Sequence, residues 1–220
     1  MMPTSVVHSS SLQRGTNYFA KLILVIGLFL FSGFTSSYLY VRFIDKGGVF
    51  FPGILYTSST ILIFLFPKVA VKSKSLLIYF LLMNMTYLVV WSLTMISSWF
   101  AFFGGILTAG IGAIVTFILV DRFIVTIKFS KVNTFVIGGA AFLIIDILYA
   151  ILSDNYGKTP IEYILKLNNA PKTLFAEVFV FWHPLVGARL FATLFKNLNT
   201  QHGKEHRLAA SLHRGDLADK

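Results

Sequence analysis

Long apolar stretches separated by short basic gaps constrain this chain more than any other feature of its sequence. A helix needs about 20 predominantly apolar residues to cross the hydrocarbon core of a bilayer. Segments that approach or meet this length lie at 20–41, 49–66, 75–96, 100–120, 134–152 and 174–195. Backbone inside hydrocarbon must satisfy its own hydrogen bonds, which favours helices. The sequence therefore predicts an all-α, polytopic transmembrane helix bundle of about six spans.

The composition agrees with a membrane protein. Apolar residues make up 56% of the chain and charged residues only 13%, against about 45–50% and about 25% in soluble domains. Three regions follow: a cytoplasmic leader at 1–19, the transmembrane domain at 20–195 and a basic cytoplasmic tail at 196–220. The first apolar run is longer than the apolar core of a signal peptide, and no clear small-residue cleavage site precedes Arg42. We therefore expect it to be retained as a span.

The third and fourth spans are separated by a weak signal. Apolar character continues from Leu76 to Ile127, and only Ser97, Ser98 and Trp99 interrupt it. One span cannot take up such a length even when it is tilted. A tight hairpin at Ser97–Trp99 is the simplest interpretation.

The distribution of Lys and Arg predicts the orientation. One side of the predicted bundle carries Arg14, Lys21, Lys68, Lys72, Lys74, Arg122, Lys128, Lys131, Lys196, Lys204, Arg207, Arg214 and Lys220. The other side carries Arg42, Lys46, Lys158, Lys166 and Lys172. Basic residues concentrate in cytoplasmic loops, so both termini are predicted to be cytoplasmic. The compact size and this bias favour a bacterial inner membrane.

The net charge of +10 is explained by the same bias. The basic residues lie in the gaps between apolar blocks instead of on one face, which is not the pattern of a nucleic-acid-binding surface. The partners that the sequence predicts are the lipid bilayer, a small-molecule solute and other membrane proteins, and not nucleic acid.

Small residues predict close packing of the fourth and fifth spans. Two stripes at four-residue spacing, Gly104–Thr108–Gly112 and Gly105–Ala109–Ala113, lie on the fourth span, and the fifth carries 138–141, Gly-Gly-Ala-Ala. Small side chains let helix backbones approach closely in membranes. Packing within the bundle is the favoured interpretation, and an oligomer interface is the alternative.

Ionisable residues at membrane depth are costly and mark candidate functional positions. Four qualify, Asp146 in the fifth span and Glu177, His183 and Arg189 in the sixth, and Asn84 adds a polar amide in the third. By depth, Asp146 and His183 form the best candidate pair for a substrate or proton pathway. Glu177 is expected near the outer end, and Arg189 on the inner side, where its stem can extend toward lipid headgroups.

The sixth span contains two residues that weaken a helix. Pro184 removes one backbone hydrogen bond and crowds the carbonyl of Val180, and Gly187 adds conformational freedom. A break at this point would resemble the discontinuous helices on which transporters build substrate sites. A proline kink in a continuous, packed span is the favoured alternative.

Signatures of catalysis and metal binding are missing from the sequence. The chain has no cysteine, and it contains neither a nucleophile elbow, nor a zinc-protease motif, nor a P-loop. His202 and His206 in the tail are four residues apart, but spacing fixes no third ligand. The sequence thus predicts no metal site, identifies no cofactor and weighs against an enzyme.

The leading functional expectation is an integral membrane protein that binds or transports a small solute through the helix bundle. Its basis is the combination of Asp146, Asn84 and the proline-containing sixth span. The alternative is a non-catalytic subunit or assembly factor of a larger membrane complex, and an intramembrane enzyme acting on lipid ranks third.

Overall fold

The computed structural model describes residues 5–43, 46–65, 71–97, 102–156, 178–198 and 200. Within these ranges, side chains are described for 18–43, 46–64, 71–94, 104–144, 147, 178–198 and 200. The helices are α1 (Ser5–Phe43), α2 (Phe51–Leu65), α3 (Ser73–Ser97), α4 (Phe102–Phe123), α5 (Lys131–Tyr156) and α6 (Val178–Leu198). A 3-10 turn at Gly48–Phe50 leads into α2. The described part contains no strand, so the all-α helical class is confirmed.

Four helices are long and apolar enough to cross a membrane. They contain the apolar stretches Tyr18–Phe43, Ser73–Thr94, Gly104–Phe123 and Val178–Leu198. Two further helices contribute shorter apolar stretches, Gly48–Phe64 and Lys131–Ile144. The chain is therefore a helical bundle with the properties of an integral membrane protein.

The helix boundaries differ from the predicted spans mainly at the N-terminus. α1 begins at Ser5, so most of the predicted leader continues the first helix. A polar sequence can extend a helix in this way because the nucleating turns already exist and each added residue gains one hydrogen bond. The long apolar run is divided as predicted, since α3 ends at Ser97 and α4 begins at Phe102. The hairpin turn itself, at 98–101, lies outside the described residues.

Contacts between neighbouring helices give their relative directions. Tyr18 in the first half of α1 stacks on Phe191 in the second half of α6, whereas Tyr40 near the end of α1 contacts Phe179 at the start of α6. α1 and α6 are therefore antiparallel. Similar pairs make α3 antiparallel to α4 and α4 antiparallel to α5.

α6 is the central helix of the bundle. In its apolar stretch 61% of the residues are buried, compared with 11% in the stretch of α3. Its side chains contact Ser32 of α1, Tyr56 of α2, Tyr87 of α3 and the backbone of Ala109 in α4. Polar atoms on this helix must therefore find their partners inside the protein.

α1 and α6 approach each other through one glycine on each helix. A Cβ atom on Gly33 would lie 2.5 Å from the carbonyl oxygen of Phe179 and 2.9 Å from the Cα of Val180. A Cβ atom on Gly187 would lie 2.3 Å from the ring of Phe29. The absence of a side chain at Gly187 thus allows the ring of Phe29 to pack directly on the backbone of α6.

The small residues of α4 and α5 pack against each other within the chain, as predicted. Gly105 lies under the ring of Phe142, and Gly110 lies under the ring of Phe135. In return, a Cβ atom on Gly138 would lie 2.6 Å from the carbonyl oxygen of Ala109. The other stripe faces elsewhere, since the hydroxyl of Thr108 contacts Thr94 of α3 at 2.8 Å.

Replacing Gly33 by Ala is expected to destabilise the bundle, because the new methyl group meets the backbone of α6, which cannot move aside as a side chain can. Overpacking of this kind typically costs about 1–3 kcal/mol. The measurement is the midpoint of thermal or SDS-induced unfolding of the purified protein in mild detergent.

Gly27→Ala is the matched control on the same helix. A Cβ atom on Gly27 meets nothing within 4 Å, and Ala is the better helix former. We expect this variant to be at least as stable as the wild type. Equal loss of stability in both variants would contradict the described contact between α1 and α6.

Candidate functional site

A buried histidine lies in the first third of the described span of the central helix, Val178–Leu198. The side chain of His183 has 0% exposure, and Ser32 on the facing helix is also buried. Unpaired polar groups in such surroundings are costly. The partners of the imidazole therefore determine what this part of the bundle can do.

Both ring nitrogens of His183 have hydrogen-bond partners from other helices. Nδ1 lies 3.2 Å from the hydroxyl oxygen of Ser32 on α1, and Nε2 lies 2.6 Å from the hydroxyl oxygen of Tyr87 on α3. An imidazole with one ring proton donates at one nitrogen and accepts at the other. Two arrangements are possible: Tyr87 donates and Ser32 accepts, or Ser32 donates and Tyr87 accepts. Both arrangements hold the same protons and differ in which imidazole nitrogen is protonated and in how the two hydroxyls are rotated. The chain Ser32–His183–Tyr87 thus has two possible directions.

An aromatic shell surrounds this chain. The ring centroids of Tyr56 and His183 are 4.9 Å apart, and those of Phe179 and His183 are 5.8 Å apart. Tyr56 also packs against Trp182 at 4.9 Å. These rings keep water from the imidazole and tie α2 to α6.

A cavity of about 60 Å³ adjoins this shell between α3, α4 and α6. Its lining is mainly aromatic and aliphatic, with four hydroxyl-bearing residues: Met83, Thr86, Tyr87, Val90, Trp91, Thr94, Ala109, Gly112, Thr116, Phe142, Val178, Phe179 and Trp182. A water needs roughly 10–15 Å³ of such space, so the cavity has room for about four waters or a small organic molecule. Tyr87 belongs to both features: its ring lines the cavity and its hydroxyl contacts His183.

Two glycines and one tryptophan shape this region. A Cβ atom on Gly53 would lie 3.1 Å from the Cβ of Tyr87, so the glycine allows α2 to approach α3 at that point. Trp182 is fixed by a hydrogen bond from its indole nitrogen to the carbonyl oxygen of Ala109, at 3.1 Å. Gly112 faces the cavity, with Val90 at 3.4 Å and Trp182 at 3.7 Å from a notional Cβ.

The sequence-predicted residues fall in different places. His183 is central, whereas Asn84 donates to the carbonyl oxygen of Phe80 at 2.8 Å and faces Gly53 across the α2–α3 contact. Arg189 is half-buried near the middle of α6 and does not line this cavity. Asp146 is part of α5, but its side chain lies outside the described residues, as does Glu177 altogether. The nitrogens of His183 lie within hydrogen-bond distance of Ser32 and Tyr87. The predicted pairing of His183 with Asp146 stays a prediction.

The helix continues through Pro184 and Gly187 without interruption, from Val178 to Leu198. The sequence allowed either a broken helix at this point or a continuous, packed span, of which the second was favoured. The structure has the continuous span. Packing explains this outcome. Gly187 is held against Phe29, and one missing backbone hydrogen bond at Pro184 is compensated by burial of α6 among α1 to α4.

Tyr87, Tyr56 and Ser32 were not predicted as site residues. A serine in a helix commonly bonds to its own backbone, and tyrosines on apolar helices are usually interpreted as packing or interfacial residues. No spacing relates residues on different helices. The available signal was the pair of tyrosines at 79 and 87, eight residues apart and therefore on similar faces of α3.

The hydroxyl of Ser36 is buried and has no partner among the described residues. Those of Tyr56 and Tyr79 are buried beside the hydroxyl of Thr60, which donates to the carbonyl oxygen of Tyr56 at 2.9 Å. Buried polar atoms are nearly always satisfied in folded proteins by protein groups or water. The Ser36 hydroxyl can therefore bond to a polar group that enters the bundle beside α1.

The arrangement differs from the known catalytic triads. Ser32 and His183 resemble a nucleophile and its base, but the second nitrogen of the imidazole contacts a phenol instead of a carboxylate. Both side chains are also closed off from a substrate, at 2% and 0% exposure. Within the described ranges, no group of three histidine, aspartate or glutamate residues is placed to hold a metal ion; the tail histidines lie outside those ranges.

Comparison with known proteins gives no assignment. The chain matches no protein-family model, no curated protein and no solved structure at a significant level. The geometry of the site is therefore the basis for proposing a function.

Tyr87→Phe is expected to lower the free energy of unfolding by about 1–3 kcal/mol, because it leaves one nitrogen of the buried His183 without a partner. The control is Tyr79→Phe on the same helix. That hydroxyl lies beside Thr60, whose own hydroxyl donates to the carbonyl oxygen of Tyr56 at 2.9 Å, so no buried imidazole is left unpaired and the loss of stability is expected to be smaller. Detergent-solubilised variants compared by thermal unfolding test this pair, and equal destabilisation would refute the assigned hydrogen bond.

Proposed function

We propose that this chain is a small polytopic carrier that binds a small amphipathic solute in the cavity between α3, α4 and α6 and moves it through the bundle. The observation that supports this most is the position of Tyr87. Its ring forms part of the cavity wall, and its hydroxyl holds the central histidine at 2.6 Å. An occupant of the cavity would therefore touch a residue that links three helices.

The lining indicates the class of solute. Hydroxyl groups that could bind a polar ligand are bonded to their own helix instead: Thr86 donates to the carbonyl oxygen of Leu82 at 2.8 Å, and Thr116 donates to that of Gly112 at 2.9 Å. The remaining surface is aromatic or aliphatic. A pocket of this kind favours a compact apolar or aromatic body with one polar group directed at Tyr87.

Binding can be coupled to the helix contacts through hydrogen-bond exchange. A solute hydroxyl or carbonyl that bonds to Tyr87 competes with His183 for the phenol. The imidazole then shifts its proton or its position relative to Ser32, which alters the contact between α1 and α6. The solute would then interact differently with the two arrangements of the helices. A carrier requires such a difference, because a ligand shifts a conformational equilibrium only when it binds one state better than the other.

Six crossings are the topology that we propose for this carrier. α5 has 26 residues, or about 39 Å at a rise of about 1.5 Å per residue, which exceeds the hydrocarbon thickness. α2 has 15 residues, or about 22 Å, and a short span can be accommodated by local thinning of the bilayer. The alternating helix directions and the distribution of Lys and Arg support cytoplasmic termini in a bacterial inner membrane.

Single-cysteine labelling tests this topology. The chain contains no cysteine, so no native thiol has to be removed first. Lys46→Cys is expected to react with a membrane-impermeant maleimide added to intact cells, and Lys72→Cys only after the membrane is permeabilised. Both lysines are exposed, and one precedes α2 in the chain while the other follows it. Labelling of both positions from the same side of the membrane would contradict a crossing by this short helix.

A second candidate function is a non-catalytic subunit of a larger membrane complex. The observation that favours it is the sparse burial of α3, whose Leu77, Leu81, Met85, Val89 and Leu93 form an exposed stripe at four-residue spacing. Lipid acyl chains suit this stripe equally well. The carrier is the better supported proposal because it also explains the cavity.

Gly112→Leu tests the cavity directly. The Cβ position has ordinary contacts, so the longer side chain extends into the space that the solute would occupy. The probe is 4-bromophenol, whose bromine quenches the fluorescence of Trp91 and Trp182 in the wall. We expect saturable quenching in the wild type and an affinity at least about tenfold weaker in the variant, a change of about 1.4 kcal/mol.

Ile111→Leu is the matched control for this experiment, since Ile111 is the neighbouring residue and is exposed. It should bind the probe as the wild type does. Gly112→Ala controls for the loss of the glycine itself. Its Cβ atom would lie 3.4 Å from Val90, an ordinary contact, so the variant should fold and retain most of the affinity. Unchanged binding in a folded Gly112→Leu protein would rule out this cavity as the binding site.

A further inference from the structure

A second cavity, distinct from the one beside Tyr87, opens at the other end of α6. It is a wide cleft of about 980 Å³, within the range of ligand pockets, about 300–1,000 Å³. Its walls come from Tyr18 in the first half of α1, the segment between α4 and α5 with the first turn of α5, and the C-terminal half of α6. The distribution of basic residues predicts that this end faces the cytoplasm.

Positive charge dominates the lining of this cleft. Lys128, Arg189 and Lys196 all contribute to it, and no acidic side chain among the described residues does. Asp121 is the one acidic residue whose side chain is described, and its carboxylate accepts a hydrogen bond from the backbone of Ile127 at 2.8 Å. The three cations therefore have no counterion within the described part of the chain.

Arg189 lines the cleft with a half-buried side chain. Its Nε atom is buried and has no hydrogen-bond partner among the described residues, so this donor is not already taken up by the protein there. A guanidinium group carries five N–H donors in a planar fork that matches the oxygens of a phosphate or carboxylate. The part of this group that lines the cleft is therefore placed to receive an oxyanion.

The N-terminus of α5 contributes the positive end of its helix dipole at the opposite wall. The helix begins at Lys131, and the hydroxyl of Ser130 accepts a hydrogen bond from the amide of Asn133 at 3.3 Å. Ser130 and Asn133 both line the cleft. The first amides of a helix and its dipole favour a negative charge at this position.

The segment that carries Lys128 and Ser130 is fixed to α6. The side chain of Asn197 accepts from the amide of Lys128 at 3.1 Å and donates to its carbonyl oxygen at 3.3 Å. These two hydrogen bonds hold the segment before α5 against α6, which carries Arg189. The positive groups are thereby arranged around one space.

We propose that this cleft binds a phosphate-bearing anion, with Arg189 as the principal contact and Lys128, Lys196 and the N-terminus of α5 completing the site. A phosphomonoester or inorganic phosphate from the cytoplasm and the headgroup of an anionic phospholipid share this chemistry. Tyr18 and Phe195, whose rings are 4.7 Å apart, give the cleft an apolar side on which an acyl chain or an organic moiety can rest.

The test measures two probes on the full chain. Binding of inorganic phosphate is followed by isothermal titration calorimetry in uncharged detergent. Retention of phosphatidylglycerol is followed by native mass spectrometry after release from nanodiscs of phosphatidylglycerol and phosphatidylcholine. Saturable phosphate binding identifies a soluble anion as the ligand, and selective retention of phosphatidylglycerol identifies a lipid headgroup. Either result supports the site.

Arg189→Gln is expected to weaken binding of the responding probe about tenfold or more, because hydrogen bonds to charged groups contribute most of the interaction. Lys72→Gln removes a cation that lies outside the cleft and should leave binding unchanged. Asn133→Asp is the second variant, for use if Arg189→Gln fails to fold. An acidic residue in the first turn of α5 favours the helix, so this variant should fold. Its carboxylate repels an anion in the cleft, so it should weaken binding of the probe.

Binding of neither probe by the folded wild type would overturn the proposal. Equal weakening by Arg189→Gln and Lys72→Gln would overturn it too, since that result describes a general surface charge. The cleft is independent of the cavity beside Tyr87, so neither outcome bears on the proposed solute.

Discussion

The packing of α6 inside the other helices determines the rest of this structure. A helix enclosed by α1, α2, α3 and α4 cannot expose a polar side chain to water, and lipid offers no hydrogen bonds. His183 therefore needs two partners from within the protein, and Ser32 and Tyr87 provide them. Those two bonds connect three helices at one point. Close approach at Gly33 and Gly187 is what makes the distances short enough.

The two halves of α6 differ in chemistry. The N-terminal half, around Trp182, borders a small aromatic cavity, and the C-terminal half, from Arg189 to Lys196, borders a wide basic cleft. Solutes that combine an apolar body with a polar or charged group are recognised by surfaces of these two kinds. A conformational change in the continuous helix between them would reach both surfaces, because both are built on its side chains.

The helical class and the division of the apolar run could be predicted from sequence because both depend on local composition. Ser97 and Phe102 bound the two helices where the serines interrupt the run. His183 was identified from its depth alone. Its partners were not, because hydrogen bonds between residues 32, 87 and 183 depend on how distant segments pack, and one sequence carries no signal of that. The continuity of α6 at Pro184 was likewise decided by tertiary contacts that outweigh local propensity. The roles predicted for Asp146 and Glu177 remain predictions.

The central claim is that the cavity beside Tyr87 holds a small molecule. Purification of the chain from native membranes in mild detergent, followed by native mass spectrometry, tests it most directly. The account predicts a chain without a stoichiometric protein partner that carries a small amphipathic molecule, released when the protein unfolds and absent from Gly112→Leu. A stoichiometric protein partner with an empty cavity would contradict the account and identify the chain as a subunit of a complex.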